Sequence, residues 1–264
     1  MTTFISEEIT TDLLLALYRE YVADLRTARA AQRSLARTRG DVKLERHSWY
    51  RVLSRVLSSA GIPAHYKRRI KPQMDDIEAE ITYLLIRAFR PATVVEVAPD
   101  RGWSTTWMLR ALCDNGWGHL YSYDLVDYAT RTVPRDLADG RWTFVQGDIR
   151  HNLHLLPNVI DHLFMDAIHK AFFAEWYVEH IVARLAPGTV VEVHDVFQEG
   201  DQSKFTEGPV VLDWLHARGT PWFTAARSRC PDVFQAIMAV RRETGITQEI
   251  HNAWANPMLF FVMV

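Results

Sequence analysis

The sequence predicts a doubly wound α/β sheet domain that is preceded by an N-terminal helical segment. From Pro91 onwards, short apolar runs alternate with amphipathic stretches, which is the pattern of parallel strands joined by helical crossovers. Before Pro91, apolar residues recur at spacings of three and four, which is typical of helices. We therefore expect a helical lid or oligomerisation segment over residues 1–72 and a ligand-binding sheet domain over residues 73–264.

Three helices are expected in the first part of the chain. The first covers residues 9–38, the second covers about 45–59, and the third covers 73–89. Residues 65–69 form a short basic loop whose Tyr66 is either placed to close over a substrate or simply solvated. The apolar stripe of the first helix must be buried. This helix therefore either covers the sheet or joins copies of the chain in a homodimer or higher homo-oligomer.

Seven strands and four further helices are expected in the second part. The predicted strands are residues 93–98, 119–123, 142–146, 162–165, 189–193, 221–226 and 257–264. The predicted helices are residues 104–115, 170–185, about 207–217 and 233–243. Ligands of doubly wound sheets bind beyond the carboxyl ends of the strands. The residues that follow each strand therefore form the candidate site.

Composition excludes several classes of protein. Hydrophobic residues make up 48% of the chain and charged residues 23%, which argues against a disordered or fibrous protein. A net charge of −2 provides no basic field for nucleic acid or anionic membranes. No apolar run is long enough for a membrane span, and the first residues lack the basic start of a secretory signal. Cys113 and Cys230 form no disulfide framework, so a cytoplasmic protein is expected. Lysines are few among the basic residues, which favours a GC-rich bacterial source.

The first two strand ends carry residues suited to hold a ligand. A turn and a helix start follow the first strand, and backbone N–H groups at such a helix start can donate to a ligand. Asp124 follows the second strand, where a carboxylate can accept from both hydroxyls of a ribose. The Gly-x-Gly-x-x-Gly fingerprint is absent, which disfavours NAD(P). The candidates after the first strand are Glu96, Ala98, Gly102, Trp103, Ser104 and Thr105, with Ser104 alternatively only a helix N-cap.

The next three strand ends carry further acids and imidazoles. After the third strand, Asp148 can accept from an adenine amino group while Ile149 packs on the ring. Buried carboxylates and imidazoles need partners, so their recurrence at adjacent strand ends predicts a ligand site. A structural role in a cap or turn stays open for each of them. The candidates after the fourth and fifth strands are Asp166, His169, His194 and Asp195.

These motifs resemble those of the class I S-adenosylmethionine (SAM)-dependent methyltransferases over residues 75–264. More narrowly, residues 102–105, 165–169, 186–188 and 194–195 are similar to a bacterial small-molecule group. That group includes macrocin and mycinamicin sugar O-methyltransferases and cephalosporin-hydroxylase-like proteins. The resemblance implies a seven-stranded Rossmann-like methyltransferase sheet, SAM as the cofactor, and a small-molecule acceptor. Together with the composition, it favours an intermediate of natural-product or antibiotic biosynthesis.

The resemblance also implies roles for individual residues. His169 would be the general base, and Asp166 and Asp195 would bind Mg²⁺. His194 is open as a metal ligand, a substrate contact, a second base or a structural residue. The chain departs from the group in two places: Ala98 stands where a glycine is common, and His194 precedes Asp195 where a second acid is frequent. The metal requirement is therefore left open. The implied cofactor contacts are Glu96, Ala98, Gly102, Trp103, Ser104, Thr105, Asp124, Asp148, Ile149 and Asp166.

Three functions are compatible with these residues. The first is O-methylation of a small molecule, for which an imidazole base is well matched at neutral pH. The second is N- or C-methylation without a metal, because such nucleophiles need less help from a base. The third is a SAM-fold protein without methyl transfer, as a binding subunit, cyclase or isomerase. A nucleic-acid methyltransferase is disfavoured, since residues 166–169 do not resemble the Asn/Asp-Pro-Pro-Tyr motif.

Overall fold

The computed structural model describes residues 8–37, 70–197, 205–252 and 255–264. Its strands are β1 (Thr93–Val97), β2 (His119–Asp124), β3 (Trp142–Gln146), β4 (His162–Met165), β5 (Val190–Val193), β6 (Trp222–Phe223) and β7 (Leu259–Val262). They form one sheet of seven strands in this part of the chain, in the order β3-β2-β1-β4-β5-β7-β6. Strands β1 to β5 run parallel, and β7 is antiparallel to both of its neighbours. The order reverses between β1 and β4, which places a ligand crevice at their carboxyl ends.

Helices cover both faces of this sheet. They are α1 (Thr11–Glu20), α2 (Val22–Arg37), α3 (Asp76–Phe89), α4 (Trp103–Asn115), α5 (Ala129–Thr132), α6 (Arg135–Ala138), α7 (Ala171–His180), α8 (Glu207–Arg218) and α9 (Pro231–Glu243). Side chains alternate along each strand, so Val94 packs in one hydrophobic core and Val95 in the other. Among the described residues, no helix has the length and apolarity that crossing a membrane would require.

The predicted fold class is confirmed, and the predicted elements differ from the observed ones mainly at their ends. The predicted helix over residues 9–38 is interrupted at Tyr21, whose backbone leaves helical geometry (φ −97°, ψ 20°). The predicted helix over residues 170–185 ends at His180 and is followed by a 3₁₀ turn. The short helices α5 and α6 were not predicted, because four residues carry no periodic signal. The helix expected near 45–59 and the loop 65–69 lie outside the described residues.

The N-terminal helices are joined to the rest of the chain by a buried polar network. The Tyr18 hydroxyl donates to Glu80 of α3 at 2.8 Å, and Arg29 pairs with both Glu80 and Asp76. Arg241 of α9 completes the network, with its Nε 3.0 Å from the second carboxylate oxygen of Glu80. The apolar stripe of α1 is thus buried within the chain itself. The boundary at residue 72 and the homo-oligomer stay predictions.

Candidate active site

A cavity of about 440 Å³ opens at the carboxyl ends of the central strands. This volume lies within the usual range for small-molecule sites. The cavity wall includes residues that follow four adjacent parallel strands, as the strand-end argument predicted. The predicted site residues that line it are Ala98, Asp124, Asp148, Ile149, Asp166 and His169.

Glu96 lies behind this cavity and not in it. Its carboxylate is fully buried and accepts hydrogen bonds from the hydroxyls of Ser104 (2.6 Å), Thr105 (2.8 Å) and Ser122 (2.5 Å). Burial raises the pKa of Glu96 to about 7, although the hydroxyl donors act in the opposite direction. The side chains of Glu96, Ser104 and Thr105 therefore brace the loop after β1 from inside. Any cofactor contact that they make must come from their backbone.

The loop after β1 has an unusual backbone conformation. Ala98 (φ 64°), Asp100 (φ 44°) and Gly102 (φ 76°) are all in the left-handed region. For Ala98 and Asp100 this conformation costs about 1–2 kcal/mol each, and such strain is typical of functional loops. Gly102 is the N-cap of α4, and a Cβ at this position would lie 2.5 Å from a methyl carbon of Val133. The alternative that Ser104 is the N-cap is therefore wrong.

The remaining cofactor candidates are placed differently from one another. Trp103 is buried, and its indole Nε1 donates to the carbonyl of Met74 at 3.3 Å. Asp124 faces the cavity while accepting from the backbone N–H of Asp100 at 2.9 Å, and burial raises its pKa. Asp148 also faces the cavity, but its carboxylate is paired with the guanidinium of Arg150 at 2.6 Å, which lowers its pKa.

Four side chains from the loops directly after β4 and β5 form what we call the acid–imidazole cluster: Asp166, His169, His194 and Asp195. The His169 Nε2 lies 3.2 Å from Asp195 and 3.6 Å from Asp166. The His194 Nδ1 lies 3.2 Å from one carboxylate oxygen of each aspartate. Parallel strands end at the same edge of a sheet, which explains why residues nearly thirty positions apart meet here.

His169 is held in place by an acid that the sequence analysis did not identify. The Nδ1 of His169 lies 2.5 Å from Oε1 of Glu207, the first residue of α8. The hydroxyl of Tyr177 donates to the other oxygen of Glu207 at 3.1 Å. Burial lowers the pKa of His169, but Glu207, Asp195 and Asp166 more than offset it, so this pKa is raised. The only sequence signal for Glu207 is an acid in the first turn of a helix, which is too common to be diagnostic.

His194 is more deeply buried than His169. Its side chain is 9% exposed, against 33% for His169, and it does not line the cavity. Its Nε2 lies 3.5 Å from Glu78, which belongs to the capping box at the start of α3. Burial lowers the pKa of His194, but Asp166 and Glu78 dominate and raise it well above its usual value. The substrate contact predicted for His194 stays a prediction, and Tyr66 lies outside the described residues.

The acid–imidazole cluster brings together groups that can bind a metal ion. One ligand atom each of Asp166, His169 and His194 can be chosen so that all lie within 4.8 Å of one another. Mg²⁺ prefers an octahedral shell of oxygen atoms, most of them from water, carboxylates or phosphates. Here two of the four converging side chains are imidazoles. The donor set therefore does not fit Mg²⁺.

Comparison with known proteins identifies the kind of domain. A family model described as a methyltransferase domain matches residues 95–196. The structure is similar to the O-methyltransferase TomG from Streptomyces achromogenes, involved in tomaymycin synthesis and solved with SAM (15% identity, 84% of this chain and 93% of that chain, TM-score 0.50). It is also similar to a proposed O-methyltransferase from Klebsiella pneumoniae (20% identity, 84% and 93%, TM-score 0.51). A third similar structure is cofactor-bound Rv0187 from MTB (14% identity, 84% and 92%, TM-score 0.51). A search of curated proteins finds no match.

These findings confirm two of the predictions. The family match confirms the enzyme class, a SAM-dependent methyltransferase, and the similar structures confirm the Rossmann-like fold. The matched segment, residues 95–196, contains the loop after β1 and the whole acid–imidazole cluster. The role of each site residue stays a prediction, as do the oligomeric state, the bacterial source and the cytoplasmic location.

Proposed function

We propose that this protein transfers the methyl group of SAM to a hydroxyl of a small molecule, and that His169 takes the hydroxyl proton. The observation that carries the proposal is the setting of His169. His169 lines the cavity and its Nε2 lies 3.2 Å from Asp195, while its Nδ1 is fixed by the buried carboxylate of Glu207. An imidazole oriented by a carboxylate is a common form of general base.

The cavity suits SAM in its shape and in its charges. Asp124 offers a carboxylate at the end of β2 for ribose hydroxyls, and Ile149 offers an apolar surface beside it. Asp166 adds a second carboxylate to the cavity wall, which favours a cationic cofactor. When bound there, SAM supplies a methyl group activated by its positively charged sulfur.

His169 and its partners have a defined task in the reaction. As the hydroxyl oxygen forms its new bond to the methyl carbon, the bond from that carbon to sulfur breaks and the electron pair stays on sulfur. The hydroxyl proton moves to Nε2 of His169. Glu207, with Tyr177 behind it, stabilises the imidazolium that results. Such positioned proton transfer typically contributes about 10²–10⁴ in rate.

The buried acid behind His169 favours a hydroxyl acceptor over an amine or a carbon. A neutral amine attacks without losing a proton first, so it has no need of a base that is held this firmly. Glu207 has a side chain only 4% exposed, and placing a carboxylate there costs free energy unless it is paired. A hydroxyl acceptor has to lose its proton, and the pair of His169 and Glu207 is suited to take that proton.

The mouth of the cavity supports an acceptor with an apolar body. Leu125, Ile168 and Phe172 line it and are each more than half exposed. Exposed apolar side chains grouped at a site commonly mark a binding surface. A hydroxylated aromatic or polycyclic natural-product intermediate would match this surface, in agreement with the acceptor class expected from the sequence.

The test is methyl transfer to a panel of phenols, polycyclic alcohols and sugars, followed by mass spectrometry and NMR of the product. We expect an O-methyl product. In His169→Gln we expect kcat to fall by about 10²–10⁴, while the affinity for S-adenosylhomocysteine changes less than about twofold. His119→Gln is the matched control, because His119 begins β2 at the opposite edge of the sheet.

Three outcomes would contradict the proposal. Full activity in His169→Gln would show that His169 is not the base. A methyl group on nitrogen or carbon of the product would favour N- or C-methylation, the second function considered above. Folded protein that binds S-adenosylhomocysteine but methylates nothing would favour a binding subunit or another SAM-dependent reaction.

A further inference from the structure

The carboxylate of Asp148 is already occupied by Arg150, two residues further along the chain. The Arg150 Nε donates to both carboxylate oxygens at 3.0 Å, and Nη2 donates to Oδ2 at 2.6 Å. The backbone N–H of Arg150 also donates to Oδ1, at 2.9 Å. A carboxylate has about four acceptor positions. Because these hydrogen bonds fill them, Asp148 is poorly placed to accept from the amino group of an adenine.

The same pair fixes the guanidinium of Arg150 at the wall of the cavity. Nε and Nη2 face the two carboxylate oxygens side by side, which is the paired geometry that orients a guanidinium most firmly. Arg150 and Asp148 both line the cavity, and the Arg150 side chain is 45% exposed. A guanidinium is flat, weakly hydrated and well suited to pack on an aromatic ring. The cavity thus offers a flat cationic surface that is oriented before any ligand binds.

Arg150 lies at the part of the cavity that suits the base of the cofactor. Asp124 at the end of β2 is the expected partner of the ribose hydroxyls. Strands β2 and β3 are paired so that Asp124 stands opposite Gln146. Residues 147–150 therefore leave the sheet beside Asp124, where the base attached to that ribose would lie.

We infer that the guanidinium of Arg150 packs on the face of the adenine ring of SAM, and that Asp148 does not read the amino group of that ring. Adenine is then recognised as a flat aromatic surface, and Asp148 acts only by orienting Arg150. A cofactor whose base has an oxygen in place of the amino group should bind equally well. The inference rests on the placement of SAM proposed above, but not on His169 or on the methyl acceptor.

The test is calorimetric titration with S-adenosylhomocysteine and with S-inosylhomocysteine, in which an oxygen replaces the amino group of the base. We expect the wild type to bind the two within about threefold of each other, because no hydrogen bond to a charged group is lost. Arg150→Lys keeps the charge but loses the flat, forked group. Both ligands should therefore bind to this variant about 3–10-fold more weakly.

Arg19→Lys is the matched control for the loss of an arginine–carboxylate pair. Arg19 is also about half exposed, and its Nε and Nη2 donate to the two oxygens of Glu243 at 2.9 Å, but it does not line the cavity. This variant should bind both ligands like the wild type. Circular dichroism reports whether each variant is folded, and Arg150→Gln replaces Arg150→Lys if the latter folds poorly.

Two further measurements distinguish a contact with the base from a role in shaping the loop. Nuclear Overhauser effects should connect the ring protons of bound S-adenosylhomocysteine with side-chain protons of Arg150. Asp148→Asn should weaken binding no more than Arg150→Lys does, and the double variant should be no weaker than Arg150→Lys alone, because Asp148 acts through Arg150.

The inference is overturned if the wild type binds S-inosylhomocysteine at least about tenfold more weakly than S-adenosylhomocysteine, as a lost hydrogen bond to the Asp148 carboxylate would require. It is also overturned if Arg150→Lys binds both ligands like the control, or if the Overhauser effects are absent. A double variant clearly weaker than Arg150→Lys would likewise assign a direct contact to Asp148.

These outcomes separate the inference from the proposed function. If both ligands bind as expected but no hydroxyl is methylated, the Arg150 contact stands and the proposed function fails. If hydroxyl methylation proceeds and Arg150→Lys changes no affinity, the proposed function stands and the contact fails. Folded wild-type protein that binds neither ligand would contradict both.

Discussion

Two groups of acids lie at the same edge of this sheet, one buried and one half-buried, and their partners differ. Glu96 is surrounded by three hydroxyl groups that all donate to it, and it does not face the cavity. In the acid–imidazole cluster, Asp166 and Asp195 each lie 3.2 Å from a nitrogen of His194, and Asp166 and His169 line the cavity. Glu96 is thus enclosed by its hydroxyl partners and holds the backbone of the loop after β1, whereas the cluster presents Asp166 and His169 to a ligand.

Replacing the carboxyl group of Glu96 should have the largest effect. Its pKa is about 7 in the folded protein, against 4.5 in the unfolded chain. The folded state therefore binds the proton more tightly, so the stabilisation is complete below pH 4.5 and is lost as the pH rises to about 7. The shift corresponds to about 3 kcal/mol. Glu96→Gln should not show this loss of stability. The difference in free energy of unfolding between the wild type and Glu96→Gln should therefore change by about 3 kcal/mol as the pH rises from 4.5 to about 7.

Denaturant unfolding at pH 4.5, 6 and 8 measures this difference. The control is Glu243→Gln, because Glu243 is an exposed partner of Arg19 and should show little dependence on pH in this range. A difference between wild type and Glu96→Gln that stays constant with pH would mean that Glu96 titrates normally and does not brace the loop as a protonated acid.

The second test concerns the orientation of His169. Glu207→Gln keeps a similar shape but removes the charge that faces Nδ1. Loss of the carboxylate that orients a functional histidine typically lowers activity about 10–100-fold. We expect this loss in kcat, with KM for the acceptor nearly unchanged, because Glu207 does not line the cavity.

Steady-state kinetics of Glu207→Gln beside Glu175→Gln, an exposed glutamate on α7, would measure the effect. Tyr177→Phe should give a smaller loss of the same kind, since it removes one hydrogen bond to Glu207. An increase in KM with unchanged kcat would assign Glu207 to acceptor binding instead of the positioning of His169.

The smallest expected effect is at Ala98. Its left-handed backbone (φ 64°) costs about 1–2 kcal/mol, and glycine would remove this cost at an entropic penalty of about 0.5–1 kcal/mol. Ala98→Gly should therefore be equally stable or more stable by up to about 1 kcal/mol, and should bind S-adenosylhomocysteine at least as tightly. Ala98→Val, with a branched side chain in the same conformation, should be clearly destabilised. Thermal unfolding and calorimetry would detect both changes, and a destabilised glycine variant would contradict the strain argument.

The sequence predicted much of the fold because the apolar periods are clear and the parallel strands are short and buried. Strands β3 and β4 have the predicted bounds, and the strand-end rule brought Asp166, His169 and Asp195 together correctly. The break at Tyr21 was missed because no glycine or proline marks it. It is accompanied by packing of the Arg87 guanidinium over the Tyr21 ring.

The site was predicted less completely, for a physical reason. A strand end places its own residue at the edge of the sheet, so local sequence is informative there. Glu78 and Glu207 reach the cluster from the starts of helices, and their positions depend on how those helices pack against the sheet. Whether Ser104 and Thr105 turn toward the cavity or toward Glu96 is likewise decided by packing and not by spacing.

The capping box of α3 has a consequence for the order in which this protein becomes functional. One oxygen of Glu78 faces His194, and its other oxygen accepts from the backbone N–H of Met258, just before β7. That strand inserts between β5 and β6 although it is made after both of them. During synthesis on the ribosome, the segment with β1 to β5 therefore emerges before Met258, whose backbone N–H holds Glu78 in place. The nascent chain has every cluster residue long before the cluster can be held in its final form.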